Sequence, residues 1–456
     1  MKKIIICICL TIFSLCSIGQ GEANTWYMGQ GIGLDFSTDP PTLTDGFSDV
    51  GMDGANAELE AFSTISNGDG EFLFAVAGKD IYDSDLNKRG VLPDGSNYHL
   101  AQGSQIIKIP GSTNEYYIIS VPMGNAGSCT SPPPSYTKVT VNGTSGNNIT
   151  IASSQQFDLP NVSGGQMILP VTDNNGNPTG DNWIIFHGVN NNEFHVYKMS
   201  VNGAMTFEKK INQGPSASVA VCGNSTGDVS VMLKSNGCYN QFVMNYGSQV
   251  NLFDFDAENG DIIFGNSTGP INEAYGVEFS PSGKNVFVST GTWLSGPKIF
   301  KLPVSPGGMG SVLGAATQIG TPSGSIRGGS MQLAPDGKIY VGGFSSWGDA
   351  FNKTEYIGTI SDPDGAGVYD PQAIALDDPR HIGMGMPTFM ASLVSNILKI
   401  IPDSKCEGQE SSFDFNLTGL EQTPPDRSWK FYNNTTATGI PIGTSTSKIG
   451  KFTWPD

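Results

Sequence analysis

Two stretches, GVEFSPSGKNVFVSTGTW from Gly276 to Trp293 and SMQLAPDGKIYVGGFSSW from Ser330 to Trp347, decide how this chain is read. Aligning Gly283 with Gly337 places Pro281 on Pro335, Lys284 on Lys338 and Trp293 on Trp347. Each stretch is two apolar runs separated by a Pro-x-Gly turn, in which proline presets φ and glycine takes the positive-φ position. Each therefore predicts a β-hairpin. A third strand follows in both, Pro297 to Ser305 and Glu355 to Pro363.

Weaker copies of the same strand, polar turn and strand precede this pair, at Ala61 to Gly78, Ile106 to Pro122, Met167 to Gly188 and Ser218 to Leu233. Anchored on the last residue of each first strand (Ile65, Ile109, Thr172, Cys222, Phe279 and Leu333), the intervals are 44, 63, 50, 57 and 54 residues. That period suits four-stranded β-propeller blades. Phe389, a further 56 residues on, lies in the apolar run Met386 to Val394, which has no hairpin after it. The segment from Thr25 to Gly46 reads as the second and third strands of a blade that lacks its first. Together they make a seventh blade, with an innermost strand at about Pro387 to Val394 paired to outer strands at about Trp26 to Phe36. A ring closed in this way has no open sheet edge at its seam. The fold class expected is all-β, a seven-bladed β-propeller over residues 24–395, with six blades as the alternative.

Composition agrees with many short strands. The 456 residues include 59 Gly and 28 Pro, and only 14% are charged, which argues against a helical bundle or coiled coil. The 24 basic residues against 42 acidic ones give a net charge of −18. Nucleic acid and anionic membrane surfaces would repel such a chain. Residues 1–19 read as a signal peptide, with Lys2 and Lys3 ahead of an apolar run from Ile4 to Leu15. That run is too short to span a membrane. Cleavage is expected after Gly19 or Ala23, so the mature chain works outside the cytoplasm and keeps Cys129, Cys222, Cys238 and Cys406. Four cysteines in so long a chain are not a disulfide framework. Strand placement sets Cys222 and Cys238 on opposite rims, too far apart for the roughly 7 Å that a bridge allows, and makes Cys129 the expected partner of Cys238. Residues 396–456, with short strands around Phe413, Phe415, Trp429 and Phe431, read as an incomplete immunoglobulin-like sandwich, so the chain is expected to be part of a longer protein.

The segments WYMGQGIGLDFST and PTLTDG near the start, PGSTNEYYIISVP, APDGKIYVGG and the closing GMPTFMASLV together resemble the N-terminal propeller of large secreted Bacteroidota surface proteins. In that family the propeller precedes PKD or immunoglobulin-like modules and a sorting domain associated with gliding motility and type IX secretion. The resemblance implies extracellular display and further domains in the parent protein; it implies no reaction.

Chemistry-bearing motifs are few. His187 and His195 fall on neighbouring strands, but no third ligand accompanies them as a zinc site requires. Asp173 to Asn177 (DNNGN) lacks the turn glycine and terminal glutamate of a calcium loop, and Asx turn chemistry explains it. Calcium is expected only as a loosely bound ion, with no other cofactor. Gly29 to Gly33 (GQGIG) sits between strands, where a dinucleotide loop needs a following helix. The carboxylate neighbours Asp254 and Asp256, and Asp377 and Asp378, are of a kind any acidic β protein contains. Trp293 and Trp347 stand out, since they occupy equivalent loops between second and third strands of adjacent blades. Such loops share a rim with the connections into the innermost strands, where aromatic faces grip a sugar or a peptide; packing between blades is the competing role. The function expected is a non-enzymatic recognition or adhesion module for an extracellular glycan or protein. The alternatives are a lyase or lactonase with its site in the central funnel, and a structural spacer. No catalytic residue is assigned.

Overall fold

The turns on which the repeat rests form as their chemistry requires. Gly283 and Gly337 have φ of +74° and +77°, and their N–H groups donate to Ser280 O and Ala334 O. A computed structural model describes residues 21–48, 60–93, 100–122, 132–159, 162–174, 176–189, 191–216, 231–246, 248–291, 297–305, 311–322, 326–345 and 355–394, together with the backbone of five short strands between residues 400 and 453. The proposed signal peptide lies outside the described residues.

Seven small antiparallel sheets are arranged as a seven-bladed β-propeller. The seam blade holds β1 (Thr25–Met28), β2 (Ile32–Asp35) and β3 (Thr42–Asp45). The first blade is β4 (Phe62–Ser66), β5 (Phe72–Ala77), β6 (Asp80–Tyr82) and β7 (Lys88–Val91). The second is β8 (Ser104–Lys108), β9 (Glu115–Ser120), β10 (Ser135–Val141), β11 (Ile149–Ile151) and β12 (Gln155–Gln156). The third is β13 (Val162–Thr172), β14 (Pro178–Gly188), β15 (Glu193–Met199) and β16 (Met205–Asn212). The fourth is β17 (Met232–Ser235), β18 (Gln241–Tyr246), β19 (Gln249–Asp256) and β20 (Asp261–Ser267). The fifth is β21 (Ala274–Phe279), β22 (Asn285–Thr290), β23 (Ile299–Ser305), β24 (Val312–Leu313) and β25 (Thr317–Gly320). The sixth is β26 (Ile326–Leu333), β27 (Ile339–Ser345), β28 (Tyr356–Ser361) and β29 (Val368–Ala375). In each of these six the first strand named lies innermost.

Two expectations need correction. The first strand of the fourth blade does not end at Cys222. It is β17, and the run ending at Leu233, expected to be a second strand, belongs to it. Both runs are short, apolar and followed by a polar turn, and local pattern cannot rank them. The need for four strands can, because β18 to β20 follow β17 in unbroken antiparallel order. The seam is the second correction. Its outer part carries a fourth-position strand, β3, in addition to the two expected. The expected innermost strand over Pro387 to Val394 is instead an extended segment that ends in a helical turn, α1 (Ala391–Val394). A short buried apolar run reads alike as strand or helix.

The closing segment is fastened step by step. Gln30 and His381 exchange both backbone hydrogen bonds, at 2.8 and 3.0 Å, and Ser330 N–H donates to Met384 O at 2.7 Å. Thr388 N–H then donates to Phe62 O at 2.9 Å, and its hydroxyl donates to Ala101 O at 3.1 Å. The chain thus passes from the sixth blade across to the first and second. Gly29 and Gly31 lie at φ +53° and +69°, and a Cβ on Gly29 would collide with His381 O. The GQGIG run is therefore the turn that admits the closing segment.

The largest apolar cluster sits at this seam and joins Trp26, Met28 and Phe36 to Tyr340 of the sixth blade, Phe62 of the first and Phe389 of the closing segment. Trp26 is fully buried, with ring centroids 4.7 Å from Phe36 and 5.5 Å from both Tyr340 and Phe389. Truncating such a tryptophan costs about 3–5 kcal/mol, against about 1 kcal/mol net for one backbone hydrogen bond. Aromatic packing, more than the Gln30–His381 pairing, holds the ring shut.

Beyond the ring, β30 (Ile400–Pro402), β31 (Glu410–Phe415), β32 (Trp429–Phe431), β33 (Gly443–Ser445) and β34 (Gly450–Thr453) form two small sheets, ordered β30-β31-β34 and β32-β33.

Candidate functional site

Polar side chains from successive innermost strands meet near the propeller axis. Lys234 on β17 donates to Glu278 on β21 at 3.0 Å and to Gln332 on β26 at 2.5 Å. Glu278 also accepts from the backbone N–H groups of Leu333 at 3.1 Å and Phe279 at 3.0 Å. All three residues are buried. On the other side, the Gln102 amide spans the third blade to reach β17, accepting from Leu233 N–H at 2.8 Å and donating to Leu233 O at 2.6 Å. Gln166 on β13 donates to Gln102 O at 2.8 Å. Nearer the connections into the innermost strands, the Tyr275 hydroxyl donates to the carboxylate of Glu60 and ties the fifth blade to the first.

Among the described residues, the closing segment lines the same cavity as these groups. The cavity left between Gln102, Gln105, Gln166, Lys234, Glu278 and Gln332, covered by Phe389, Ala391 and Val394, offers water-sized molecules about 20 Å³. One or two waters fit in such a space, and a sugar or metabolite does not.

The sequence motifs single out no residue of this belt. The signal was present. Glu278 and Gln332 each stand one residue before their anchors, Phe279 and Leu333, at the same repeat position. Lys234 was hidden by the misplaced first strand of its blade.

Trp293 and Trp347 lie outside the described residues. In sequence they fall between β22 and β23 of the fifth blade and between β27 and β28 of the sixth. Cys238 falls in the turn between β17 and β18 and is disulfide-bonded. Cys129 and Cys222 themselves lie outside the described residues.

His187 pairs across the sheet with Phe194, and His195 with Phe186. Neighbours in a strand point to opposite faces, so the two imidazoles are on opposite sides of the third blade and cannot share an ion. Among the described residues no group of three or more His, Cys, Asp or Glu is placed to hold a metal, and no helix is long and apolar enough to cross a membrane. Asp173 accepts from Asn177 N–H at 2.8 Å within a hairpin turn. Asp254 accepts from Ser311 N–H at 2.8 Å, Asp256 from the N–H groups of Glu258 and Asn259, and Asp377 from Arg380.

No family model matches the chain, and no curated protein is similar to it. Solved structures do resemble it. A functionally unknown protein from Desulfotomaculum acetoxidans is 14% identical over 83% of this chain and 96% of its own, with a TM-score of 0.37. A candidate 6-phosphogluconolactonase from Bacteroides fragilis is 12% identical over 72% and 98%, with a TM-score of 0.36. AofleA from Arthrobotrys oligospora is 12% identical over 73% and 91%, with a TM-score of 0.38. Further structures from Bacteroides uniformis and Bacteroides caccae are among the matches. Likeness at this level carries no argument about function.

Two outcomes follow from the buried polar groups. Burial pushes the His187 imidazole down from 6.5 to about 4, so between those values the unfolded chain binds the extra proton. Stability is therefore full above pH 6.5 and falls on acidification, by roughly 2 kcal/mol at pH 5; urea midpoints from pH 7.5 to 4.5 should show the slope and His187→Gln should flatten it. Lys234→Met should cost about 3–5 kcal/mol by stranding the Glu278 carboxylate. The double variant Lys234→Met/Glu278→Gln should be more stable than that single variant in the same denaturation series.

Proposed function

We propose that this chain is an exported, non-enzymatic recognition module that binds an extracellular glycan or protein on the propeller rim carrying the Trp293 and Trp347 loops. The observation that carries the reading is the occupied axis. Lys234 there is already committed to Glu278 and Gln332, and the cavity that remains is of water size. Loops on the rim remain as the binding surface, and two tryptophans in equivalent positions supply large, rigid contact area. The basic and apolar start of the chain and the acidic surface support work outside the cytoplasm, within a longer surface protein and with calcium bound at most loosely. The Bacteroidota surface-protein resemblance, with its PKD-like modules and its association with gliding motility and type IX secretion, points the same way.

A funnel enzyme of lyase or lactonase type is the second reading. The Lys234–Glu278 pair near the axis favours it, although a substrate would first have to displace α1.

A glycan and protein binding screen of the exported chain, with and without calcium, is the test. Trp293→Ala/Trp347→Ala should weaken binding by tenfold or more, as expected for aromatic hot spots, with an unchanged unfolding midpoint. Unchanged binding, or loss of folding, would overturn the assignment of these tryptophans to the rim site.

A further inference from the structure

The axial cavity carries a second kind of information, independent of the rim. Two of its lining groups are buried acceptors without a hydrogen bond: Gln105 Oε1 and Gln166 Oε1. The residues are 3% and 0% exposed. For Gln166 the amide cannot simply be turned over. Its nitrogen already donates to Gln102 O at 2.8 Å and Ile119 O at 3.3 Å, and exchanging the ends would set an oxygen against two carbonyls. An unpaired buried acceptor costs about 1–3 kcal/mol. Two lining one cavity call for a shared donor.

Lys234 lines the same cavity and has one donor to spare. An ammonium has three N–H groups, and Lys234 uses two of them on Glu278 and Gln332. The walls therefore offer two acceptors and one donor. A metal cation would suit the amide oxygens but not the neighbouring ammonium, whose counter-charge on Glu278 is already engaged. An anion would suit the ammonium but face two carbonyl oxygens. A neutral species that donates twice and accepts once satisfies all three, and about 20 Å³ limits it to water.

We propose that the propeller axis holds a structural water site, in which a buried water donates to Gln105 Oε1 and Gln166 Oε1 and accepts the third N–H of Lys234. This water completes the polar belt and links the innermost strands of the second, third and fourth blades, which share no strand-to-strand hydrogen bonds.

A high-resolution crystal structure of the exported chain should show a density peak within hydrogen-bonding distance, about 2.7–3.2 Å, of both Gln oxygens. Oxygen-17 relaxation dispersion should count one fewer long-lived water in Gln105→Met, a variant of similar volume, while its circular dichroism stays that of the parent. A dry cavity, an unchanged count of long-lived waters in a folded Gln105→Met, or an anomalous peak there in crystals soaked in thallium(I) would overturn the proposal, the last by assigning the site to a monovalent cation.

Discussion

A β-propeller is a circle of sheets, and whatever joins the last blade to the first decides whether the circle exists. In this chain that join is the buried contact between Trp26, near the start, and Phe389, some 360 residues later, with Tyr340 and Phe36 packed around them. The backbone bridge between Gln30 and His381 sets the register of the seam. Its two hydrogen bonds contribute less than the aromatic cluster, since each replaces a bond to water while the rings bury large apolar surfaces. Gly29 serves this contact by leaving room for His381 O, and Gly29 and Gly31 both take backbone angles that other residues avoid.

The way the ring closes governs what its centre can do. The closing segment crosses from Ser330 to Phe62 and Ala101 and ends in the helical turn Ala391–Val394 against the axis. Lys234, Glu278 and Gln332 meet there under cover, where an ion pair is costly to form and costly to break. With these groups engaged near the axis, the recognition proposed for this chain is assigned to the rim.

Much of this architecture was legible because turn chemistry repeats. Gly283 and Gly337 mark equivalent turns, and once they are aligned the period, the blade count and the seam follow. The fourth blade was misread at Cys222 because SVAVCG and VMLKS are both short apolar runs that end in polar turns, and only the strands that follow distinguish them. The closing run failed at its far end for a related reason: Ala391 to Val394 is apolar enough for either strand or helix. The candidate site was less visible than the fold. Glu278 and Gln332 shared a repeat position and could have been noticed, whereas Gln102 reaches the belt from a turn ahead of its strand, across an intervening blade. No local pattern announces a contact between residues 131 positions apart.

Hydrogen–deuterium exchange on Trp26→Ala against the parent chain tests the central claim, that the seam holds the whole ring. Closure by the aromatic cluster predicts that protection falls together in β1, in β4 of the first blade and in β26 of the sixth, on both sides of the join. Loss of protection confined to β1, β2 and β3 would contradict it, showing a ring that stands without its seam.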